Sequence, residues 1–150
     1  MELIRRSGFE KPTPIQCQAL PAIMSGRDCV GVAKTGSGKT LAYILPMLRH
    51  AKDQPAIRQG DGPIAMIIGP TRELVIQNRR VLEKMGKYTG IRCVTTGEKR
   101  DLKGAAIDAQ IVIGTPGTLK SWMRPGRFQQ LNVSGIKILV FDEADQMMAA

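Results

Sequence analysis

Apolar residues along this chain are grouped in five short, nearly continuous runs, and two segments between the runs repeat apolar residues at helical spacing. Continuous apolar runs are typical of parallel strands buried on both faces of a sheet. The predicted strands are CVGVA (29–33), IAMIIG (64–69), IRCVT (91–95), QIVIG (110–114) and KILVF (137–141). The predicted helices are KTLAYILPMLRHA (39–51) and TRELVIQNRRVLEKMGKY (71–88), with an exposed loop at 53–63. This alternation indicates an α/β domain with a parallel sheet, whose ligands bind at the carboxyl ends of the strands.

The net charge narrows the range of partners. The 150 residues carry a formal charge of +9, and the segment from Arg79 to Lys103 holds eight Lys or Arg against three acidic residues. Such a segment indicates either a polyanionic partner or a solvated helix face followed by a basic loop.

The three cysteines, Cys17, Cys29 and Cys93, are widely spaced, and two of them lie within apolar runs. We expect them to be small buried hydrophobes rather than a disulfide framework, which favours a reducing, intracellular compartment. His50 is the only histidine and is expected near a helix end, so an ordinary zinc site is not expected. No apolar run reaches the roughly 18 residues of a membrane span, and no membrane association is expected.

The segment AKTGSGKT (33–40) follows a predicted strand and begins a predicted helix. In this context, Gly36 and Gly38 let successive backbone N–H groups point inward as an anion-binding nest at the helix N-terminus. Lys39 is expected to reach the β- and γ-phosphates of a nucleotide, and the Thr40 hydroxyl to join a Mg²⁺ shell. The alternative is a glycine-rich turn with a surface lysine, but the flanking strand and helix favour a phosphate loop.

A second candidate site follows the last apolar run, where the chain reads KILVFDEAD (137–145). Asp142 is expected at the carboxyl end of a strand, where it can hold Mg²⁺ through water, and Glu143 can take a proton from an attacking water. An acidic cluster after a strand can also be a helix N-cap. The phosphate loop earlier in the same α/β pattern favours the catalytic interpretation.

These two motifs, together with GFEKPTPIQ (8–16), closely resemble the first RecA-like domain of DEAD-box RNA helicases, from the Q motif to motif II. The resemblance implies a P-loop NTPase fold with ATP and Mg²⁺ as cofactors. It also implies that Phe9 stacks on adenine, Lys11 packs beside it and Gln16 reads the adenine edge, since an amide offers both a donor and an acceptor. The implied nucleotide-binding residues are Phe9, Lys11, Gln16, Ala33, Lys34, Thr35, Gly36, Ser37, Gly38, Lys39 and Thr40; the implied catalytic residues are Lys39, Asp142 and Glu143; the implied metal ligands are Thr40 and Asp142.

Two further segments resemble RNA-binding loops of this family, PTRELVIQ (70–77) its motif Ia and TPGTLK (115–120) its motif Ib. Each segment alone is also compatible with a Pro-marked strand-to-helix turn and its N-cap. The family's paired glycines are represented by Gly97 alone, in TTGEKRD. The resemblance implies sequence-independent contacts with the RNA sugar-phosphate backbone, made by Pro70, Thr71, Arg72, Gly97, Thr115, Pro116 and Gly117.

The resemblance also implies how much of a helicase is present. A DEAD-box core has two RecA-like domains, and residues 1–150 resemble the first of them, from the Q motif through motif II. We expect one ATP-binding domain, incomplete at its C-terminal end, without motif III, the strand that leads to it, or the second domain. Such a fragment is expected to bind ATP and, weakly, RNA, in the nucleus or cytoplasm, and not to unwind duplexes by itself.

Other interpretations stay open. The chain can be a non-catalytic RNA- or protein-interaction fragment with a vestigial nucleotide site, and a second RecA-like domain or a regulatory protein acting in trans is a candidate partner. A different P-loop enzyme, such as a nucleotide kinase, is opposed by the Q motif and PTREL. The segments around the phosphate loop resemble splicing-associated members, whereas AQIVIGTPGTLKSWM resembles mRNA-export members, so no subfamily is assigned.

Overall fold

The computed structural model describes residues 2–6, 8–34, 38–97, 109–124 and 131–149. Its four strands form one parallel sheet in the order β2-β3-β1-β4, which confirms the predicted α/β class. The elements within these ranges are α1 (Glu2–Arg6), α2 (Pro14–Met24), α3 (Lys39–Asp53), β1 (Ala65–Ile68), α4 (Arg72–Gly86), β2 (Cys93–Thr95), β3 (Ile111–Gly114), α5 (Pro116–Met123), β4 (Ile138–Phe141) and α6 (Ala144–Met148).

The central strands send alternate side chains to two apolar clusters on opposite faces of the sheet. Ile67 of β1 and Ile113 of β3 belong to a cluster that includes residues of α3 and α4. Met66 and Val112, one position earlier in the same strands, belong to a second cluster with Trp122 of α5. Both faces of β1 and β3 are therefore covered by helices, as their continuous apolar sequences predict.

Helices α4 and α5 begin directly after strands β1 and β3, respectively, each at a threonine N-cap. The Thr71 hydroxyl accepts a hydrogen bond from the Leu74 N–H (3.2 Å), which satisfies one of the free amides of the first turn of α4. Pro116 is the first residue of α5, a position where its missing N–H and fixed φ are tolerated. These short connections keep the motif Ia and Ib segments at the carboxyl ends of their strands.

The prediction of a strand at 29–33 is wrong. These residues form no strand, and Val30 and Val32 are 92% and 91% exposed. A β-strand is stabilised by a hydrogen-bonded neighbour, and the sheet ends at β4, which pairs with β1 alone among the described strands. Because 29–33 has no such neighbour in the described part of the chain, its apolar side chains stay in solvent.

The expected burial of the cysteines is also wrong for two of them. Cys17 and Cys29 are exposed and Cys93 is partly buried, and all three are free thiols. Cys29 is exposed because it begins the unpaired segment 29–33. His50 lies in the last turn of α3, as predicted. No helix in the described ranges is long and apolar enough to cross a membrane.

Candidate nucleotide and RNA site

The segments that follow the four strands lie at one edge of the sheet, because all the strands are parallel. Backbone hydrogen bonds continue the sheet beyond the strand ends. The Gly69 N–H donates to the Gly114 carbonyl (3.1 Å), and the Asp142 N–H donates to the Ile68 carbonyl (2.9 Å). The segments that lead into motifs Ia, Ib and II are therefore adjacent, as the sequence predicted for this edge.

The predicted catalytic and metal-binding residues come together at this edge. Lys39 and Thr40 begin α3, and the Lys39 Nζ lies 3.8 Å from Glu143 Oε1. The Tyr43 hydroxyl, one helical turn after Thr40, donates a hydrogen bond to Asp142 Oδ2 (3.0 Å). The start of α3 and the residues after β4 thus form one polar cluster.

Asp142 is held by two donors. It is 8% exposed, and its Oδ2 accepts a second hydrogen bond from the Asn78 amide (2.8 Å). Burial, followed by the negative charge of Asp142, raises the pKa of the Tyr43 phenol above its ordinary value. Tyr43 therefore stays protonated and acts as a donor to the carboxylate.

Tyr43 and Asn78 are absent from the residues predicted from sequence. A signal for Asn78 does exist, because it occupies the spacing of the core-facing residues Val75, Leu82 and Met85 along α4. A polar residue at an apolar position of an amphipathic helix indicates a buried hydrogen bond. Tyr43 gives no such signal, since a tyrosine is an ordinary residue at the edge of an apolar cluster.

Glu143 has an unusual backbone conformation. Its φ of 53° places it in the left-handed region, and no other non-glycine residue of the described ranges has a positive φ. Non-glycine residues in this region are concentrated at functional sites, because the surrounding structure has to impose the conformation. The turn at Glu143 directs its side chain to Lys39 and begins α6.

Gln16 connects the Q motif to the phosphate loop. It is 7% exposed, and its amide donates to the Gly38 carbonyl (3.1 Å) and accepts from the Thr13 N–H (3.0 Å). A primary amide has two donor hydrogens and two acceptor lone pairs, so one of each remains for a ligand. The structure thus places Gln16 at the phosphate loop and leaves half of its hydrogen-bonding capacity for the predicted adenine contact.

For the other predicted nucleotide-binding residues, the structure shows exposure or partial burial rather than contacts with the cluster around Lys39 and Asp142. Phe9 is 38% exposed, with the Lys84 Nζ 5.3 Å from its ring centroid, and Lys11 is exposed. Ala33 is partly buried and Lys34 is exposed. The predictions for Thr35, Gly36 and Ser37 lie outside the described residues.

The predicted RNA-binding residues follow strands β1, β2 and β3 at the same edge of the sheet. Arg72, Pro116, Gly117 and Gly97 are exposed, and Pro70 is partly buried between β1 and α4. Hydroxyl contacts join two of the segments: Thr118 Oγ1 lies 2.6 Å from Thr96 Oγ1 and 3.0 Å from Thr115 Oγ1. Gly97 has a φ of 91°, a backbone conformation that favours glycine. The segments at Gly97 and at 115–117 are therefore joined, with Arg72 in the neighbouring strand-to-helix connection.

A sequence profile of the DEAD/DEAH box helicases matches residues 13–150. The chain belongs to this family. It is 50% identical over 151 residues to DEAD-box ATP-dependent RNA helicase 45 of Oryza sativa subsp. japonica, a match that covers 98% of this chain and 16% of that protein. It is 45% identical over 148 residues to the human probable ATP-dependent RNA helicase DDX46, covering 96% of this chain and 14% of that protein.

Solved helicase structures share the fold. The RNA helicase Prp28 from Chaetomium thermophilum bound to ADP matches 99% of this chain and 36% of its own, with a TM-score of 0.85 and 36% identity. A hypothetical ATP-dependent RNA helicase from Sulfolobus tokodaii matches 99% of this chain and 41% of its own, with a TM-score of 0.82 and 30% identity. The predicted RecA-like fold is confirmed, and the chain spans a minor part of each of these relatives.

The residues of the site suit a nucleotide with Mg²⁺. The Thr13 and Gln16 side chains lie beside Gly38 at the phosphate loop, and the Gln16 amide keeps one donor and one acceptor for a ligand. Thr40 and Asp142 provide hard oxygen donors, the kind that Mg²⁺ prefers. No group of three or more His, Cys, Asp or Glu within the described ranges could hold a metal. Mg²⁺ fits this sparse set because it keeps several waters and shares ligands with substrate phosphates.

Proposed function

We propose that these residues bind ATP with Mg²⁺ and the sugar-phosphate backbone of RNA, as the first RecA-like domain of an ATP-dependent RNA helicase. The convergence of Lys39, Thr40, Asp142 and Glu143 at one edge of the sheet supports the ATP assignment most strongly. A site that handles RNA implies action in the nucleus or cytoplasm. Duplex unwinding is assigned to the whole helicase, of which residues 1–150 are one domain.

The roles of the four residues follow from their chemistry. Lys39, at the N-terminus of α3, neutralises phosphate charge next to the free amides of the first helical turn. Thr40 and Asp142 hold Mg²⁺, which supplies positive charge to the phosphate oxygens when it is bound. Glu143 orients the attacking water and accepts its proton. The ion pair between Lys39 and Glu143 has to separate when phosphate binds, because Lys39 then faces the nucleotide.

Gln16 gives the site its base specificity in this proposal. It hydrogen-bonds the adenine edge with the donor and acceptor that Thr13 and Gly38 leave free. A site built to pair with one base edge rejects another because its own polar groups remain unpaired. ADP should therefore bind better than GDP, and Gln16→Ala should narrow that difference; equal affinities in the unmutated protein would rule out the assignment of Gln16.

ADP binding tests the nucleotide proposal. Excess ADP with Mg²⁺ should raise the melting temperature, because a ligand at about 100 times its Kd adds about 2.7 kcal/mol to the free energy of unfolding. Lys39→Ala should abolish most of the rise by removing the cation that faces the phosphates. Lys52→Ala, at the other end of α3, is the matched control and should retain the rise. No stabilisation of the unmutated chain would favour the alternative, an interaction fragment with a vestigial site.

Salt dependence tests the RNA proposal. With about three phosphates neutralised, log K for single-stranded RNA should fall against log salt with a slope of about −2. Arg72→Ala should weaken binding to all sequences alike, since a phosphate contact carries no base information. Arg58→Ala is the control, because Arg58 is an exposed arginine in the loop that leads to the amino end of β1. A strong preference among RNA sequences would contradict a backbone-only interface.

A further inference from the structure

We propose that Tyr43 and Asn78 are positioning residues for the metal site: together they hold one oxygen of Asp142 so that its other oxygen faces Mg²⁺. This inference rests on the proposed ATP–Mg²⁺ function and names two residues that act on Asp142 rather than on the nucleotide. The Tyr43 hydroxyl (3.0 Å) and the Asn78 amide (2.8 Å) both donate to Oδ2. Within the described residues, no hydrogen bond from the protein reaches Oδ1.

The three side chains come from separate elements of the fold. Tyr43 is in the second turn of α3, Asn78 is in the middle of α4, and Asp142 follows β4. They are separated in sequence by 99 and 64 positions from Asp142. Packing between α3, α4 and the sheet therefore fixes the carboxylate from two directions, and a single loop movement cannot reorient it.

Asn78 is in a position where an apolar residue would be expected. It is 1% exposed, within the row formed by Val75, Leu82 and Met85. A buried amide lowers stability unless it is hydrogen-bonded, and an apolar side chain would fill the same space without that requirement. Its hydrogen bond to a buried carboxylate gives the polar residue a function at this position.

Tyr43 also lies close in the chain to the other predicted metal ligand. Thr40 and Tyr43 are three residues apart on α3, so their side chains lie on the same side of the helix. Because Tyr43 donates to Asp142 Oδ2, it joins the Asp142 carboxylate to the helix that carries Thr40.

Mg²⁺ is sensitive to this kind of support. It requires nearly octahedral geometry and shifts poorly to accommodate misplaced ligands. Removing a partner that orients a metal ligand typically lowers metal affinity about 10- to 100-fold. Loss of either donor lets the Asp142 carboxylate rotate, which should weaken Mg²⁺ binding while the phosphate loop and Gln16 keep their contacts with ADP.

The experiment compares ADP affinity with and without Mg²⁺, by titration calorimetry, for the unmutated chain, Tyr43→Phe, Asn78→Leu and the double variant. We expect each single variant to bind metal-free ADP within about twofold of the unmutated chain, and to lose about tenfold in its enhancement by Mg²⁺. The double variant should lose little more than either single variant, because both donors act through one oxygen and such effects are not additive.

Thr95→Val is the matched control, since it removes a buried hydroxyl that accepts a hydrogen bond from Arg79 (3.0 Å) in another part of the fold. Tyr43→Phe keeps the ring and carries the test if Asn78→Leu does not fold. Folded variants that keep the full Mg²⁺ enhancement of ADP affinity would overturn the proposal. Variants that lose ADP affinity equally with and without Mg²⁺ would also overturn it, because such a loss indicates a general structural role. Failure of the unmutated chain to bind ADP would instead overturn the proposed function.

Discussion

Strand β3 and the segment 29–33 are both short apolar runs, and the structure treats them in opposite ways. Val112 of β3 is fully buried, whereas Val32 is 91% exposed. β3 has a paired strand on each side and helices over both faces, while 29–33 has no paired strand in the described part of the chain. An apolar run therefore becomes a strand only when a hydrogen-bonding neighbour and a covering layer are both present.

Strand β4 lies between these extremes. It pairs with β1 on one side, and its residues alternate between partly buried and exposed positions. Ile138 and Val140 pack against the cluster on the α3 and α4 face, whereas Leu139 and Phe141 are 50% and 57% exposed. The Asp142 carboxylate is nevertheless well fixed, because its side-chain partners come from α3 and α4. The helices that cover one face of the sheet thus hold the predicted catalytic carboxylate in place, although β4 itself is an edge strand among the described strands.

The largest expected difference is between Val112→Ala and Val32→Ala, the same substitution in the two regions. Val112→Ala should lower the free energy of unfolding by about 2–3 kcal/mol, because it removes buried methyl groups and leaves a cavity. Val32→Ala should change it by less than about 0.5 kcal/mol, as is usual at the surface. Urea unfolding of both variants measures the difference, and a comparable loss for Val32→Ala would show that 29–33 is packed in solution.

The second prediction concerns the stability of the fold at alkaline pH, which should depend on the buried phenol of Tyr43. The pKa of Tyr43 is raised in the folded chain above its ordinary value of 10.0, so its contribution to stability is complete below about pH 10 and is lost as the pH rises further. The loss cannot exceed about 1.4 kcal/mol per pH unit. Without Mg²⁺ or nucleotide, the free energy of unfolding should therefore fall less steeply above pH 10 in Tyr43→Phe than in the unmutated chain.

The control for that measurement is Tyr88→Phe, which removes a phenol that is 60% exposed at the end of α4. All other side chains are common to the three proteins, so only the difference between their stability curves is interpreted. Identical slopes for Tyr43→Phe and the unmutated chain would contradict the buried donor role of Tyr43.

A smaller loss of stability is expected when the N-cap of α4, the helix that follows β1, is removed. Thr71→Ala removes the side-chain oxygen that accepts from Leu74 N–H, and should lower the free energy of unfolding by about 1 kcal/mol. Thr115→Ala is the matched variant at α5, whose N-cap side chain makes no capping hydrogen bond and contacts the Thr118 hydroxyl instead. Urea unfolding should show the larger loss for Thr71→Ala, and the reverse order would mean that α4 does not depend on its cap.

The sequence predicts the covered region well and the edge poorly, for a physical reason. The apolar runs that became β1 and β3, and the helical spacing of α3 and α4, are local patterns that packing reinforces. The state of 29–33 depends on a neighbouring strand, which no local pattern specifies. The same holds for the site: the phosphate loop and Asp142 are recognisable motifs, but the contacts of Asp142 with Tyr43 and Asn78 join residues far apart in the chain.

The smallest effect on stability is expected at the open edge itself, from Leu139→Thr. Threonine is β-branched, a shape that suits a strand, and Leu139 is already 50% exposed, so the free energy of unfolding should change by less than about 0.5 kcal/mol. Self-association should nevertheless decrease, because an unpaired edge strand with exposed apolar side chains is a template for pairing between chains. Light scattering across a range of protein concentrations measures this, with Val133→Thr as the control, since Val133 is 40% exposed but lies outside the strands. A marked loss of stability in Leu139→Thr would show that this face of β4 is covered in solution, and the contrast between the two regions would then be weaker than the structure indicates.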